Sequence, residues 1–134
     1  SELTTKQQRY VDAIRCSAHS LLQLLNDLLD ISKIESGKMT VEQTEMNPHQ
    51  VIGDVVRVLA VSASAKGIQL ETHIDPLLPE CIMSDPARVR QIVFNLLGNA
   101  IKFTEQGCVT LRCETQLHTS PPTWSLEIQD TGIG

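Results

Sequence analysis

The feature that most constrains the fold is a long apolar seam near the start of the chain. Val11, Ile14, Ala18, Leu21, Leu25 and Leu28 recur at alternating steps of three and four, the spacing that keeps one face of a helix turned toward a partner. Leu22 and Leu29 widen the seam into a bundle-type face. Thr4 followed by Gln7 has the form of a capping box and Gly37 is a natural stop, so the segment between reads as one helix of about nine turns. A lone helix cannot bury such a face. It needs a second surface, either another helix or the rest of this chain.

After Gly37 the pattern changes to alternating short strands and helices, which places a hinge near Glu35-Ser36-Gly37 and divides the chain into residues 1–37 and 38–134. Residues 39–46 read as a polar edge strand. Asn47-Pro48 is a helix start, with the cap followed by proline at the first helical position; Val51, Ile52, Val55, Val56 and Leu59 mark that helix's inner side, and Gly67 its end. Ile68, Leu70, Thr72 and Ile74 then alternate with polar residues as a strand. A short strand over 81–83 follows, and Asp85-Pro86 opens a third helix. Two more alternating runs, Val109–Cys113 and Trp124–Ile128, are separated by Ser120-Pro121-Pro122 and so read as an antiparallel pair. The expected class is α+β: a long bundle or coiled-coil helix followed by a partial two-layer α/β sandwich.

The third helix carries the chemistry. At roughly 100° per residue, Asn95, Asn99 and Lys102 share one face, with Arg88 and Gln91 pointing the same way. Val89, Val93, Leu96, Leu97, Ala100 and Ile101 occupy the other side as a stripe broad enough to pack on a sheet. A polar helix face often meets only water, but such faces favour strong helix formers, and asparagine is a poor one. Two asparagines beside Gly98, itself costing about 1 kcal/mol relative to alanine, point to a ligand. An asparagine carbonyl is a hard oxygen donor suited to Mg²⁺, and lysine brings a compact cation to a phosphate.

A second constellation lies at the other end. The alternation of the last strand puts Asp130 on the side of Trp124, Leu126 and Ile128, where a carboxylate needs a partner. Thr131-Gly132-Ile133-Gly134 follows, with glycines that permit unusual dihedrals or close approach. A buried acceptor beside such a turn can take a hydrogen bond from an exocyclic amine such as that of adenine. Equally, an aspartate ending a strand can simply cap the turn.

Composition excludes some classes. With 11 basic against 16 acidic residues and a net charge of −5, there is no nucleic-acid footprint, and no apolar run approaches the ~18 residues that span a bilayer. Cys16, Cys81, Cys108 and Cys113 show no metal-binding spacing and read as reduced, half-buried thiols.

These residues resemble a known family. Asn95, Asn99, Ala100, Lys102, Phe103 and Thr104 are similar to the N box, and Asp130-Thr131-Gly132-Ile133-Gly134 to the G1 box, of the sensor histidine kinases of two-component systems. Residues 28–38 resemble the end of their dimerisation helix, in wording closest to the hybrid kinases. The resemblance spans the chain. It implies the second helix of a dimerisation and histidine phosphotransfer domain, followed by the first half of an ATP-binding domain of the Bergerat (GHKL) fold. Asn95 would then hold Mg²⁺, Asn99 and Lys102 would contact the phosphates of ATP, Asp130 would bind the adenine amino group, and Gly132 and Gly134 would form the adjoining backbone. The implied activity passes the γ-phosphate to a histidine, then to an aspartate of a response regulator or receiver domain. The implied setting is a homodimer joined through the N-terminal helix, forming a cytoplasmic segment of a parent anchored in the bacterial inner membrane.

The departures from the family pattern matter too. None of His19, His49, His73 and His118 has the acidic residue and proline that follow the family's phosphoacceptor; all four read as surface or flank histidines, so no catalytic residue is assigned. With the lid and second glycine box not found, the chain is expected to be a piece that does not autophosphorylate. Two alternatives stay open: a hydrolytic ATPase of the same nucleotide fold, and a dimerisation module only. Gln91 discriminates against the first, because such hydrolases carry a glutamate one turn before the first asparagine, and an amide is a very poor base.

Overall fold

The computed structural model describes residues 2–132. The chain divides into two compact units, residues 1–40 and 41–134, a boundary three residues beyond the expected hinge.

The first unit is a single helix, α1 (Thr5–Glu35). Its capping box forms as expected: the Gln7 amide donates to Thr4 Oγ1 and the Thr4 amide to Gln7 Oε1. It ends where Gly37 takes a left-handed φ of +70° and the Lys38 amide reaches back to the Lys33 carbonyl, a turn a β-carbon would strain. No residue of α1 is buried. Leu21, Leu25 and Leu28 of the seam stand exposed among the described residues.

The second unit contains β1 (Thr44–Met46), α2 (Pro48–Lys66), β2 (Gln69–Ile74), β3 (Ile82–Ser84), α3 (Pro86–Phe103), β4 (Cys108–Gln116) and β5 (Thr123–Asp130). With three helices and mixed strand pairing among the described residues, the class is α+β. The strands form a three-stranded sheet, order β2-β4-β5, and a separate antiparallel pair, β1-β3. β2 runs parallel to β4, with Leu70 opposite Val109; β4 and β5 are antiparallel, with Leu111 opposite Ile128. α2 and α3 pack on each other and on the sheet. Ile52, Leu59, Val93, Leu97, Val109 and Leu111 form the centre of the core between them.

Several expectations are corrected. The polar stretch 39–46 is a strand only over Thr44–Met46, too polar earlier to be held by its single neighbour. Leu96, placed in the buried stripe by periodicity, is 51% exposed, because it lines an open cleft between α3 and the end of β5 instead of packing under the sheet. Of the thiols, all of which are free, Cys16 and Cys81 are exposed and Cys113 is buried. His49 is not a plain surface histidine: its Nε2 lies 2.7 Å from the Leu78 carbonyl, tying α2 to the loop after β2. That loop is held again by Asp75, whose carboxylate accepts from the Leu77 and Thr115 amides.

Candidate functional site

The helix bearing the asparagines is fixed at both ends. At its start Asp85 caps it through Oδ1, which accepts from the Arg88 amide at 3.2 Å, while Oδ2 accepts from the Glu42 amide at 3.0 Å. These two amides, Glu42's first, hold the Asp85 carboxyl below its ordinary pKa. At its end Lys66 of α2 donates from Nζ to the carbonyls of Ile101 and Lys102, at 2.8 and 3.0 Å. Those last carbonyls have no partner within the helix, and a cation there also suits the helix dipole.

Between these anchors α3 presents the expected polar face. Asn95, Asn99 and Lys102 are all exposed. Among the described residues none of their side chains forms a hydrogen bond or ion pair; Lys102 only places Nζ 5.4 Å from the Phe103 ring centroid. Their amides and ammonium are thus uncommitted, and the carbonyls of Asn95 and Asn99 fit a hard cation that keeps waters and phosphate oxygens in its shell. Gln91 is different. Its Oε1 accepts from Arg88 Nη1 at 2.9 Å.

The C-terminal half of α3 meets the end of β5 in a cleft of about 280 Å³ lined by Leu96, Asn99, Ala100, Phe103, Ile128 and Asp130. The strand phase therefore puts Asp130 toward the helix, as expected, and beside Asn99. It does not bury it: Asp130 is exposed, since β5 ends here on a side of the sheet that no neighbouring strand covers among the described residues. Its Oδ1 accepts from the Gly132 amide at 2.9 Å. The cleft is apolar along its walls and polar at Asn99 and Asp130, the character of a slot for a flat heterocycle with polar groups at its rim. Asn95 and Lys102 stand outside the lining, farther along the same helix face.

Gly132 has a close-approach role rather than an unusual dihedral. It is not among the glycines with positive φ, but a β-carbon there would come within 2.6 Å of the Phe103 carbonyl oxygen and 3.0 Å of Thr104 Oγ1. The turn after β5 is thereby pressed against the end of α3. Gly134 lies outside the described residues. Sequence reasoning missed Leu96 and Phe103 as cleft walls, for which exposed apolar residues beside Asn95 and Lys102 were the available sign. Thr104, named in the sequence only as the last residue of the N-box resemblance, is fully buried with a hydroxyl that has no hydrogen-bond partner among the described residues.

Comparison with known proteins gives the family. Residues 84–134 match the family model described as histidine kinase-, DNA gyrase B-, and HSP90-like ATPase, and residues 1–37 match the His Kinase A (phospho-acceptor) domain. The signal transduction histidine-protein kinase BarA of Escherichia coli is 39% identical over 135 residues, covering 100% of this chain. The sensor protein GacS of Pseudomonas syringae pv. syringae is 39% identical over 138 residues, again covering all of the chain. The chain spans 15% of the length of each of these relatives. Full-length ShkA, solved in complex with AMPPNP, superposes with a TM-score of 0.79 at 31% identity, over 98% of this chain and 28% of that one. The two-layer unit thus has the GHKL ATPase fold of histidine kinase domains. With both family models matched in kinase order along one chain, and with relatives of one kind aligned from end to end, the chain belongs to the sensor histidine kinases.

Proposed function

We propose that the chain is the part of a sensor histidine kinase that supplies the second helix of the dimerisation and phosphotransfer domain and the nucleotide-facing half of the ATP-binding domain. The observation that carries this is the cleft itself: Asn99 on α3 and Asp130 on β5 rim one apolar slot, with Asn95 and Lys102 continuing along the same helix face.

In this reading the Asp130 carboxylate accepts the adenine amino group, Leu96, Phe103 and Ile128 flank the ring, and Asn99 and Lys102 reach the phosphates. Gly132 forms the adjoining backbone, and Gly134 has the same role by its place in the motif. Asn95 holds Mg²⁺ through its carbonyl oxygen. Bound there, the ion neutralises charge on the phosphate oxygens. The protein's own contribution is placement: Lys66 and Asp85 fix α3, so its polar face is set before nucleotide arrives. ShkA was solved with AMPPNP, which supports an adenine nucleotide as the ligand. The γ-phosphate then passes to a histidine of the parent and on to a response-regulator aspartate. The exposed seam of α1 pairs with that of a second copy. Anchorage of the parent in the bacterial inner membrane follows from the family resemblance alone; no helix among the described residues is long and apolar enough to cross a membrane.

Gln91 favours phosphotransfer over hydrolysis, because a neutral amide held by Arg88 cannot act as the base for water. Titrating the isotopically labelled chain with ATP and Mg²⁺ tests the site. Saturable shifts at Asn99, Lys102 and Asp130, weakened about ten-fold by Asp130→Asn as expected for loss of one charged hydrogen bond, support it. No saturable shift at these residues overturns it.

A further inference from the structure

The nucleotide reading gives Asp130 a role but leaves its neighbour without one. Thr131 is exposed as a residue, yet its hydroxyl is tied into the turn before β4. Oγ1 accepts from the Cys108 amide at 3.2 Å and lies 3.5 Å from both the Gln106 and Cys108 carbonyls, so its proton also has an acceptor. It reaches them because of a residue in the turn before β4. Gly107 has φ +121°, and a β-carbon there would fall almost on Thr131 Oγ1. The hydroxyl occupies the space that this glycine leaves open.

That contact lies at a critical place. The pairing of Val109 with Asp130 is the last in the β4–β5 register among the described residues, so Thr131 and Gly132 are not held by the ladder. Strand ends without further pairing fray readily. Here the chain is caught on both sides instead: Thr131 is lodged against the turn before β4, and Gly132 is pressed against the end of α3. The Gly132 amide then takes Asp130 Oδ1 at 2.9 Å, which leaves Oδ2 without a hydrogen bond among the described residues and directs the carboxylate into the cleft.

We propose that Thr131 is a positioning residue for the nucleotide cleft, its hydroxyl locking into the hollow beside Gly107 so that Asp130 presents one carboxylate oxygen to the exocyclic amine of adenine. The proposal rests on the adenine reading above. It assigns Thr131 no contact with nucleotide and no part in transfer. A merely structural role would make the hydroxyl a generic turn fastener whose loss weakens every ligand alike, whereas the lock acts through Asp130 and is felt only by ligands carrying the amine.

The test titrates the 134-residue chain with ATP and with purine riboside triphosphate, in which hydrogen replaces the amino group, for the wild type, Thr131→Val and Thr131→Ser. The expected result is that wild type prefers ATP, Thr131→Val binds ATP about ten-fold more weakly with affinity for the analogue unchanged, and Thr131→Ser keeps the preference. A folded Thr131→Val that retains the preference, or that loses both nucleotides equally, overturns the proposal. Should the valine variant not fold, the serine variant decides: loss of preference with the hydroxyl still present overturns it, and retention supports it. A wild-type chain that binds both nucleotides equally fails the adenine reading itself, and the proposal with it, before any substitution is made.

Discussion

The two units use the same apolar residues to opposite ends. α1 carries Ile14, Leu21, Leu25 and Leu28 over 31 helical residues and buries none of them, whereas the second unit encloses Ile52, Leu97, Val109 and Leu111 completely. A helix is kept by what its apolar face meets more than by propensity. α1 therefore relies on a surface outside its own unit, while the α/β unit satisfies itself. The difference also divides labour: the self-sufficient unit can hold a cleft to fixed dimensions, and the dependent one can respond to what it meets.

Substitutions in the two leucine sets break this comparison most sharply. Leu97→Ala should destabilise the second unit by about 2–5 kcal/mol, read from urea unfolding followed by the fluorescence of Trp124, the single tryptophan of the chain. Leu25→Ala should change that same transition by less than about 0.5 kcal/mol while weakening self-association in sedimentation. Equal effects of the two substitutions on the Trp124 transition would erase the contrast.

Gly132→Ala comes next, since its β-carbon meets the Phe103 carbonyl at 2.6 Å. Overpacking of this kind costs about 1–3 kcal/mol, and here it should lower the urea midpoint and move the amide resonances of Phe103 and Thr104 together. The capping box of α1 sets a smaller scale. Thr4→Ala should cost the helix about 1 kcal/mol, seen as reduced helical circular dichroism with the Trp124 transition unmoved.

Acid sharpens the contrast from another side. Asp75 is lowered from its ordinary pKa by the Leu77 and then the Thr115 amide, and Asp85 by the Glu42 and then the Arg88 amide. Groups lowered in the folded state stabilise it above the unfolded carboxylate value and lose that contribution as pH falls through the folded one. Both belong to the second unit, so its urea midpoint should fall on acidification toward pH ~3, and Asp85→Asn should flatten that fall.

The smallest expected effect leaves stability untouched. Burial, and then the charges of Asp75 and Glu114, push the Cys113 thiol up to about 11, so it stays protonated at pH ~8, where thiolate is the reactive form. A thiol reagent should label exposed Cys16 and Cys81 in the native protein and reach Cys113 only on unfolding. Native labelling of Cys113 at the rate of Cys16 would show a second unit that opens as freely as the first is exposed.

Much of this was legible in the chain. The caps at Thr4, Asn47 and Asp85, the stops at Gly37 and Gly67, and the period-two runs of β2, β4 and β5 are local signals read over a few residues, and they placed the elements well. The facing of Asp130 was legible for the same reason, because strand phase is local. Its exposure was not, since alternation tells which way a side chain points and nothing about what stands over it. Leu96 failed likewise, as helical periodicity marks a stripe without saying where the sheet beneath it stops. The link of Lys66 to the end of α3, and the meeting of Gly107 with Thr131, depend on residues far apart in sequence, which no pattern within a window can show.

The parallel pairing of β2 with β4 has a consequence for synthesis. On a ribosome α1 can complete its internal bonding as soon as it emerges, but Gln69 through Ile74 must wait for Cys108 through Cys113, with β3 and the whole of α3 made in between. During that interval α2 can already cover one face of β2, but the strand's pairing edge has no mate. The order of emergence thus leaves the half of the molecule that ends up self-contained as the half most in need of protection while it is being made.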